Sequence, residues 1–572
     1  MYILGVSCDY HDSSAALLKD GQLVAAASEE RFSRKKHDSA IPSQTIAWCL
    51  EYAGIQSRDL DYVAFYEKPL LKFDRILATS VDYYPRSLAF FREALLSWFS
   101  EKLWIKSRLL KLLGVPDNRV LFCEHHMAHA ASAFYCSGFP EAAILTVDGI
   151  GEWATAAMGE GKAGGIRLPL EMRWPHSLGM LYSVFTAFLG FEVNEGEYKV
   201  MGMAPYGTPR YMDKVWKLVR VSEDGAIELD LDYFSYHLTP RRAFSSRFLT
   251  LFGEPRSAHA REQDQRYLDI AASVQKVTEE ILLRMARAAT SRSGNKRLVM
   301  AGGVALNCVA NGRIQDEAGI DELFIQPASG DGGASLGAAL WAWHTVLGQP
   351  SGAQLPHVSW GSAVSGTEIR TELERTGAVG VALKSEDELL DRATEDLVTG
   401  KVMGWSQGRF EWGPRALGHR SILADPRRGE ARNVVNTKIK FRETFRPFAP
   451  SLVAESAAHY FEQPLDRQPT AKFMLRTAAV RGGMRHQIPA VTHVDGSARP
   501  HLVQRQANPL YFDLIRRFGD ASGHPVLLNT SFNLRGEPIV ASAADVLSTF
   551  FRSGLDVLYL ENYRIAKHGP LP

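Results

Sequence analysis

The chain opens with short apolar runs of strand length. Residues 3–8 and 15–19 are nearly continuous in apolar side chains, an Asp20-Gly21 turn follows, and residues 22–27 alternate again. This pattern predicts a β-hairpin at the start of the chain. Further apolar runs at 120–123, 142–147, 297–301 and 323–326 each lead into a polar or glycine-rich turn. Strand patterns interleaved with helical ones predict an α/β layer architecture. Residues 87–113 repeat aromatic and leucine side chains beside Lys and Arg at helical spacing. An amphipathic core helix accounts for that segment, with a mobile lid over a substrate as the alternative. Ser177–Phe191 is the longest apolar-looking run, but it holds Ser, Thr and two Gly. It falls short of the ~18 apolar residues of a membrane helix, so a buried helix is expected.

Between about residues 345 and 362 the text turns to Gly, Pro, Ser and Gln, a linker composition. An arginine-rich region of different character follows. Two unequal domains are expected, 1–350 and 360–572, and no internal repeat or low-complexity tract is visible. With 572 residues, 65 Lys plus Arg, 64 Asp plus Glu and a net charge of +1, the chain is neither a polyanion binder nor a membrane-surface protein by composition. Its five cysteines form no C-x-x-C pair, which excludes a disulfide framework and a zinc ribbon. The strand-like start leaves no space for a signal peptide within these residues, so the expectation is a cytoplasmic protein without nucleic-acid or membrane partners.

Glu124-His-His-Met-Ala-His-Ala follows a strand and opens an Ala-rich helical stretch. His125 and His129, four apart, share one helical face, as chelation from a helix requires, although such a pair taken alone is more often structural. Asp148 ends a strand and begins Asp-Gly-Ile-Gly-Glu-Trp. Asp331 lies in Pro327-Ala-Ser-Gly-Asp-Gly-Gly, read as directly after a strand. Carboxylates followed by glycines at strand ends are where open α/β sheets place ligand chemistry. Gly149 lets a backbone N–H approach phosphate oxygens, and Gly302, Gly303 and Asn307 form a second turn able to hold an adenosine. Two imidazoles with two carboxylates suit Fe(II), Mn(II) or Zn(II).

The C-terminal region carries Phe410-Glu-Trp-Gly-Pro-Arg-Ala-Leu-Gly-His-Arg-Ser, Lys438-Ile-Lys-Phe-Arg-Glu-Thr-Phe-Arg-Pro and Leu527-Leu-Asn-Thr-Ser-Phe-Asn. Lys440, Arg442 and Arg446 are interleaved with Phe441, Phe445 and Phe448. Guanidinium groups beside apolar residues imply a part-buried pocket for planar or phosphorylated anions, against the alternative of an ordinary basic rim.

The motifs Tyr10-His-Asp-Ser-Ser-Ala, Glu29-Glu-Arg-Phe-Ser-Arg-Lys-Lys-His, Glu124-His-His-Met-Ala-His-Ala, Val147-Asp-Gly-Ile-Gly-Glu and Glu197-Tyr-Lys-Val-Met-Gly-Met-Ala-Pro-Tyr-Gly resemble those of the O-carbamoyltransferases of antibiotic and nodulation-factor biosynthesis. The resemblance covers essentially the whole chain. It implies an actin-like ATPase (RNase H-like) N-terminal domain fused to a smaller threonylcarbamoyl-adenylate-synthase-like (YrdC-like) α/β domain. It also implies a reaction in which carbamoyl phosphate and ATP give carbamoyl adenylate, whose carbamoyl group passes to a hydroxyl of a small-molecule natural product. By the same resemblance His125, His129, Asp148 and Asp331 match the metal ligands, with Fe(II) favoured over Mn, Zn or Mg. His11 matches the general base, an imidazole expected near its unperturbed pKa of about 6.5. Asp9, two residues earlier and placed on the same side by strand alternation, is the candidate residue for contacting the acceptor. Lys36 is placed near the nucleotide phosphates. Arg415, Lys440, Arg446, Arg499, Asn529 and Ser531 match the residues that bind carbamoyl phosphate and the carbamoyl adenylate.

Rival readings are a tRNA threonylcarbamoyladenosine-type transferase, an actin-like-fold sugar kinase and a catalytically inactive binding module. The +1 charge argues against the first, and the arginine-rich second region and the histidine pair against the second. Retention of all four ligand candidates argues against the third. The acceptor is not legible, and a homodimer is left open.

Overall fold

A computed structural model describes residues 1–239, 241–257, 264–350, 355–466 and 468–567. Of the expected linker, residues 351–354 lie outside that set. The chain divides into two units. One comprises Met1–Glu29 with Ser39–Leu355, and the other Glu30–Asp38 with Pro356–Pro572.

The N-terminal unit contains two five-stranded sheets. The first comprises β1 (Tyr2–Ser7), β2 (Ser14–Lys19), β3 (Gln22–Ser28), β4 (Tyr62–Phe65) and β5 (Val120–Phe122). The second comprises β6 (Ala142–Val147), β7 (Ala154–Lys162), β8 (Gly165–Arg173), β9 (Arg297–Ala301) and β10 (Glu322–Ile325). Their orders are β3-β2-β1-β4-β5 and β10-β9-β6-β7-β8. In each, three strands form an antiparallel meander, a fourth pairs in parallel with its first strand, and a fifth pairs in parallel with the fourth. The sheets are therefore a topological duplicate, although no repeat is visible in the sequence.

Five helices matter for the site: α1 (His125–Ser137), α2 (Leu178–Phe188), α3 (Gln265–Ser293), α4 (Cys308–Glu317) and α5 (Asp331–Trp341). The predicted strands all form, within a residue or two. The helix expected over 87–113 is broken into Leu88–Ser100, a short 3₁₀ turn and Ile105–Leu113. The run at 177–191 is α2, buried on nearly every side, as an all-round apolar helix must be. Among the described residues no helix is long and apolar enough to cross a membrane.

The C-terminal unit is built on an eight-stranded mixed sheet. Its strands are β11 (Gly380–Ala382), β12 (Met403–Ser406), β13 (Arg420–Ala424), β14 (Ala449–Val453), β15 (His501–Val503), β16 (Val526–Ser531), β17 (Val557–Leu560) and β18 (Tyr563–Ala566). They lie in the order β11-β18-β17-β12-β13-β16-β14-β15. Helices α6 (Gly366–Thr376), α7 (Glu386–Val398), α8 (Pro509–Ser522) and α9 (Ala543–Arg552) cover it. Side-chain alternation along β13 and β16 feeds two cores. Leu423 and Leu527 pack with Leu389, Ala393, Phe512 and Ile515 of α7 and α8. Ile422 and Leu528 pack on the other face with Ile369, Leu373, Val546 and Phe550 of α6 and α9. Arg31 and Arg34 bind the Glu30–Asp38 segment into this unit through the carbonyls of Gly413, Pro538 and Ile539, and Arg34 also pairs with Asp545 at 3.1 Å.

His501 lies in the α7–α8 layer, and burial pushes its pKa down to about 3. An unfolded imidazole titrates near 6.5, so the unfolded chain binds the proton more readily. The stability this neutral ring contributes is complete above pH 6.5 and is lost as the pH falls toward 3. On the order of 3 kcal/mol is lost by pH 4. Urea midpoints at pH 7.5 and 4.5 check this: His501→Phe has a flatter pH dependence than the wild type, and parallel profiles contradict it.

Candidate functional site

In the N-terminal unit four chemically active side chains meet at the carboxyl ends of strands. α1 follows β5, α5 follows β10 at the topologically equivalent place, and Asp148 follows β6 directly. Asp331 is not directly at a strand end, as the sequence suggested; it is the first residue of α5 after a Pro327–Gly330 turn. His125 Nε2 and His129 Nε2 lie 3.0 Å and 2.9 Å from Asp148 Oδ2, and 3.1 Å from each other. Each is 3.7 Å from Asp331 Oδ1. Both imidazoles and Asp331 are buried. Hydrogen bonding alone leaves more lone pairs converging here than protons to bridge them, and a divalent cation satisfies this donor set. All four donor atoms lie within 4.8 Å of one another.

The electrostatics point the same way. Burial works against both carboxyls as anions, yet the facing imidazoles hold Asp148 well below the usual carboxylate range and Asp331 below it. Burial also opposes charge on His129, but Asp148 and Asp331 carry it up to about 9. His126 is excluded as a ligand. Its Nδ1 lies 2.8 Å from Thr146 Oγ1 and its Nε2 3.0 Å from the Ala154 carbonyl, while burial takes it down to about 3.

The rings are positioned by packing, since His125 Nδ1 and His129 Nδ1 have no hydrogen-bond partner among the described residues. Tyr66 lies 5.5 Å from the His125 ring. Glu152 receives the His125 N–H at the start of α1, at 3.0 Å, where an anion is favoured by the helix dipole. α1 and α5 approach so closely that a Cβ at Gly337 would lie 1.8 Å from the Ala128 carbonyl oxygen. Gly302 adopts φ 96°, and a Cβ there would meet the Val147 carbonyl at 2.2 Å.

Around this cluster several expected roles change. The N–H groups of Gly149 and Gly303 donate to Asp148 Oδ1 at 2.8 Å and 3.2 Å and orient that carboxylate. Asn307 caps α4, accepting from Ala310 N–H at 3.1 Å, and its amide also pairs with Gln275. Asp9 lies beyond the end of β1 with φ 72°, so strand alternation does not place it beside His11. Its carboxylate takes both bonds from Arg108 Nη1, each 3.0 Å, and burial raises its pKa despite that arginine. His11 is half-buried with Nδ1 2.9 Å from Asp12 Oδ2. Burial lowers its pKa, but Asp12, Asp331 and Asp148 outweigh burial and bring it to about 9, well above the near-neutral value expected.

Lys36 belongs to the C-terminal unit, not to the N-terminal one. There it joins a cationic cluster. Burial first, then Arg442, Arg446 and Lys36, push the Lys440 ammonium well below its ordinary pKa. Lys440 Nζ donates to Ser531 through its carbonyl and its Oγ, and to Asn533 Oδ1 at 2.6 Å. Arg446 lies 3.4 Å from Glu443. Asn436 accepts from Arg442 at 2.8 Å and donates to the Arg446 carbonyl at 3.3 Å, bracing the loop that carries both arginines. Asn529 donates to the carbonyl of Ala416, beside Arg415, at 3.0 Å. Arg499 has a buried Nε without a partner, and no hydrogen bond ties it to Lys440, Ser531 or Asn529 among the described residues.

Three residues escaped sequence reasoning. Asn533 completes the Lys440 cage. Arg420 is fully buried with Nε and Nη2 unpaired, and Glu411 keeps Oε2 unpaired, among the described residues. Arg420 and Glu411 stood inside a motif already singled out, but a burial of that depth has no local signature.

One α/β unit thus gathers two imidazoles and two carboxylates, and the other a buried cationic cluster. The chain matches Carbamoyltransferase N-terminus over residues 2–340 and Carbamoyltransferase C-terminus over residues 394–567, and it belongs to the carbamoyltransferase family. It is 45% identical to the uncharacterized protein sll1178 of Synechocystis sp., over 99% of this chain and 97% of that one. It is 37% identical to the nodulation protein NolNO of Sinorhizobium fredii, over 98% and 80%. It is 36% identical to a 3'-hydroxymethylcephem-O-carbamoyltransferase of Amycolatopsis lactamdurans, over 44% and 45%.

The Gly337 contact gives a test of the ligand cluster. Gly337→Ala forces α5 away from α1 at a cost of about 1–3 kcal/mol in packing and weakens binding of Mn(II) or Zn(II) at least tenfold. Equilibrium dialysis followed by elemental analysis measures this. Unchanged metal affinity in a folded Gly337→Ala protein contradicts the assigned packing.

Proposed function

We propose that the protein is an ATP-dependent O-carbamoyltransferase acting on a hydroxyl of a small molecule. The observation that carries the reading is the convergence of two imidazoles and two carboxylates in a chain of the carbamoyltransferase family. The duplicated sheet order of the N-terminal unit supports an actin-like fold, which binds nucleotides beyond the strand ends. The YrdC-like assignment of the C-terminal unit rests on the motif resemblance.

In the C-terminal unit, water hydrolyses carbamoyl phosphate, breaking the acyl phosphate link and giving carbamate, inorganic phosphate and a proton. A carbamate oxygen then attacks the α-phosphorus of ATP, giving carbamoyl adenylate and releasing pyrophosphate. Lys440, Arg442 and Arg446 supply positive charge against these anions, with Arg415 and Arg499 as further donors. The depressed Lys440 ammonium regains its favoured charge when a phosphate joins it. In the N-terminal unit the acceptor hydroxyl attacks the carbamoyl carbon, its proton passes to His11, and AMP leaves. AMP is the better leaving group, so activation turns an unreactive carbamate into an electrophile.

His125, His129, Asp148 and Asp331 would hold a divalent cation, Fe(II) by resemblance with Mn, Zn or Mg as alternatives. Such an ion supplies Lewis acidity toward phosphate oxygens. An ion held there would offset two of the charges that raise His11, those of Asp331 and Asp148, while the hydrogen bond to Asp12 would stay. The small-molecule acceptor finds a parallel in the printed name of the cephem relative.

The halves are separable by assay. Lys440→Met lowers carbamoyl-phosphate-dependent ATP–pyrophosphate exchange by at least about 10²-fold, the scale of a lost charged contact to phosphate. His129→Ala keeps the exchange and loses carbamoylation of the acceptor, followed by mass spectrometry. Exchange that survives in Lys440→Met, or that disappears in a folded His129→Ala protein, refutes this division of labour.

A further inference from the structure

Asn529 sits on β16 and is 1% exposed. Its amide nitrogen donates to the Ala416 carbonyl at 3.0 Å and to Ser451 Oγ at 2.9 Å. A carbonyl oxygen can only accept, so the atom facing Ala416 has to be the nitrogen. Ser451 Oγ, having accepted from Asn529, has one proton to give, and His501 Nδ1 lies 2.8 Å from it. Burial keeps His501 neutral at neutral pH, so Nδ1 can take that bond with the ring proton on Nε2. The His501 ring is itself stacked on Tyr511, with centroids 6.0 Å apart and planes inclined by 23°.

The Ala416 carbonyl and Ser451 together fix which way round the Asn529 amide is turned. What remains is Asn529 Oδ1, buried and without a donor among the described residues. Ser531, two residues along the same strand, shares its face and bonds to Lys440 Nζ at 3.1 Å. An acceptor with free lone pairs therefore lies one strand step from the ammonium assigned to the acyl phosphate. A buried acceptor left unpaired is costly, and a ligand N–H is the group that relieves it.

We infer that Ser451 and His501 are positioning residues that hold the Asn529 amide with its oxygen toward the acyl group, so that Asn529 reads the –NH₂ of a carbamoyl donor and rejects acyl phosphates that lack it. This rests on the C-terminal unit binding carbamoyl phosphate, as proposed above. A methyl group in place of –NH₂ leaves Oδ1 unpaired, and an oxyanion in its place is repelled. Phosphate and nucleotide contacts do not distinguish these donors, so the discrimination falls to Asn529.

The experiment uses the full chain in carbamoyl-phosphate-dependent ATP–pyrophosphate exchange, with acetyl phosphate as competitor. Ser451→Ala raises KM for carbamoyl phosphate about fivefold to tenfold, the scale of one lost hydrogen bond, and leaves KM for ATP within about twofold. The ratio of the acetyl phosphate inhibition constant to the carbamoyl phosphate KM narrows by the same factor. Ser451→Thr keeps the hydroxyl and restores both values. His501→Phe, which preserves the stacking on Tyr511, gives a smaller shift in the same direction and serves if Ser451→Ala does not fold. An unchanged ratio, equal changes in both KM values, or no rescue by threonine overturns the inference while leaving the proposed activity standing. Absence of exchange in the wild type overturns the activity and the inference with it.

Discussion

The N-terminal site depends on one steric constraint, the contact of two helix backbones at Gly337 and Ala128. α1 and α5 follow equivalent strands of two equivalent sheets, and only a residue without a side chain lets them run so close. That approach brings His125 and His129 against Asp331, while the turn after β6 delivers Asp148 from the other side. The result is electrostatically unbalanced. Asp148 raises the pKa of Asp331 even as the imidazoles lower it, so two anions are held close by the very groups that must then carry charge. Such an arrangement favours a small positive ion over any rearrangement of its own protons.

In the C-terminal unit the balance runs the other way. Lys440 is surrounded by Arg442, Arg446 and Lys36 and bonded to oxygens of Ser531 and Asn533. Those oxygens satisfy its protons but do not cancel the neighbouring charges. A surplus of buried cations in one unit and of carboxylates around the donor set in the other gives each unit its own ligand preference, which the +1 net charge of the whole chain conceals.

Local patterns carried much of the fold. The three strands of the opening meander were legible because they are short, apolar and bounded by turns such as Asp20-Gly21, whereas β4 in the same sheet was not expected. The duplication was not, because Tyr2–Ser7 and Ala142–Val147 share only a burial pattern, and topology resides in backbone pairing rather than in side-chain identity. The placement of Glu30–Asp38 was hidden for a related reason. Arg34 is secured by the Ile539 carbonyl, 505 residues away, and no local signal reports such a partner. At the site, the four donors were legible because few residue types can do that chemistry. Asp9 misled because alternation was extended past the end of β1 into a left-handed turn. Glu411, Asn533 and Arg420 are set by burial and by partners distant in sequence, which spacing does not encode.

The duplicated sheets also differ in how far the chain travels between strands. From β3 to β4 it runs from Ser28 to Tyr62, whereas from β8 to β9 it runs from Arg173 to Arg297. Loop closure over such a span costs little more in equilibrium stability, since its entropy grows only logarithmically with length. Its effect is on timing. Contacts this distant in sequence slow folding, and on the ribosome β6 must wait for β9 to be synthesised before its parallel edge is covered. His125 and His129 emerge long before Asp331, so the nascent chain carries the imidazoles without their second carboxylate and with an open sheet edge beside them. The interval between those residues is when the protein is most exposed to mispairing.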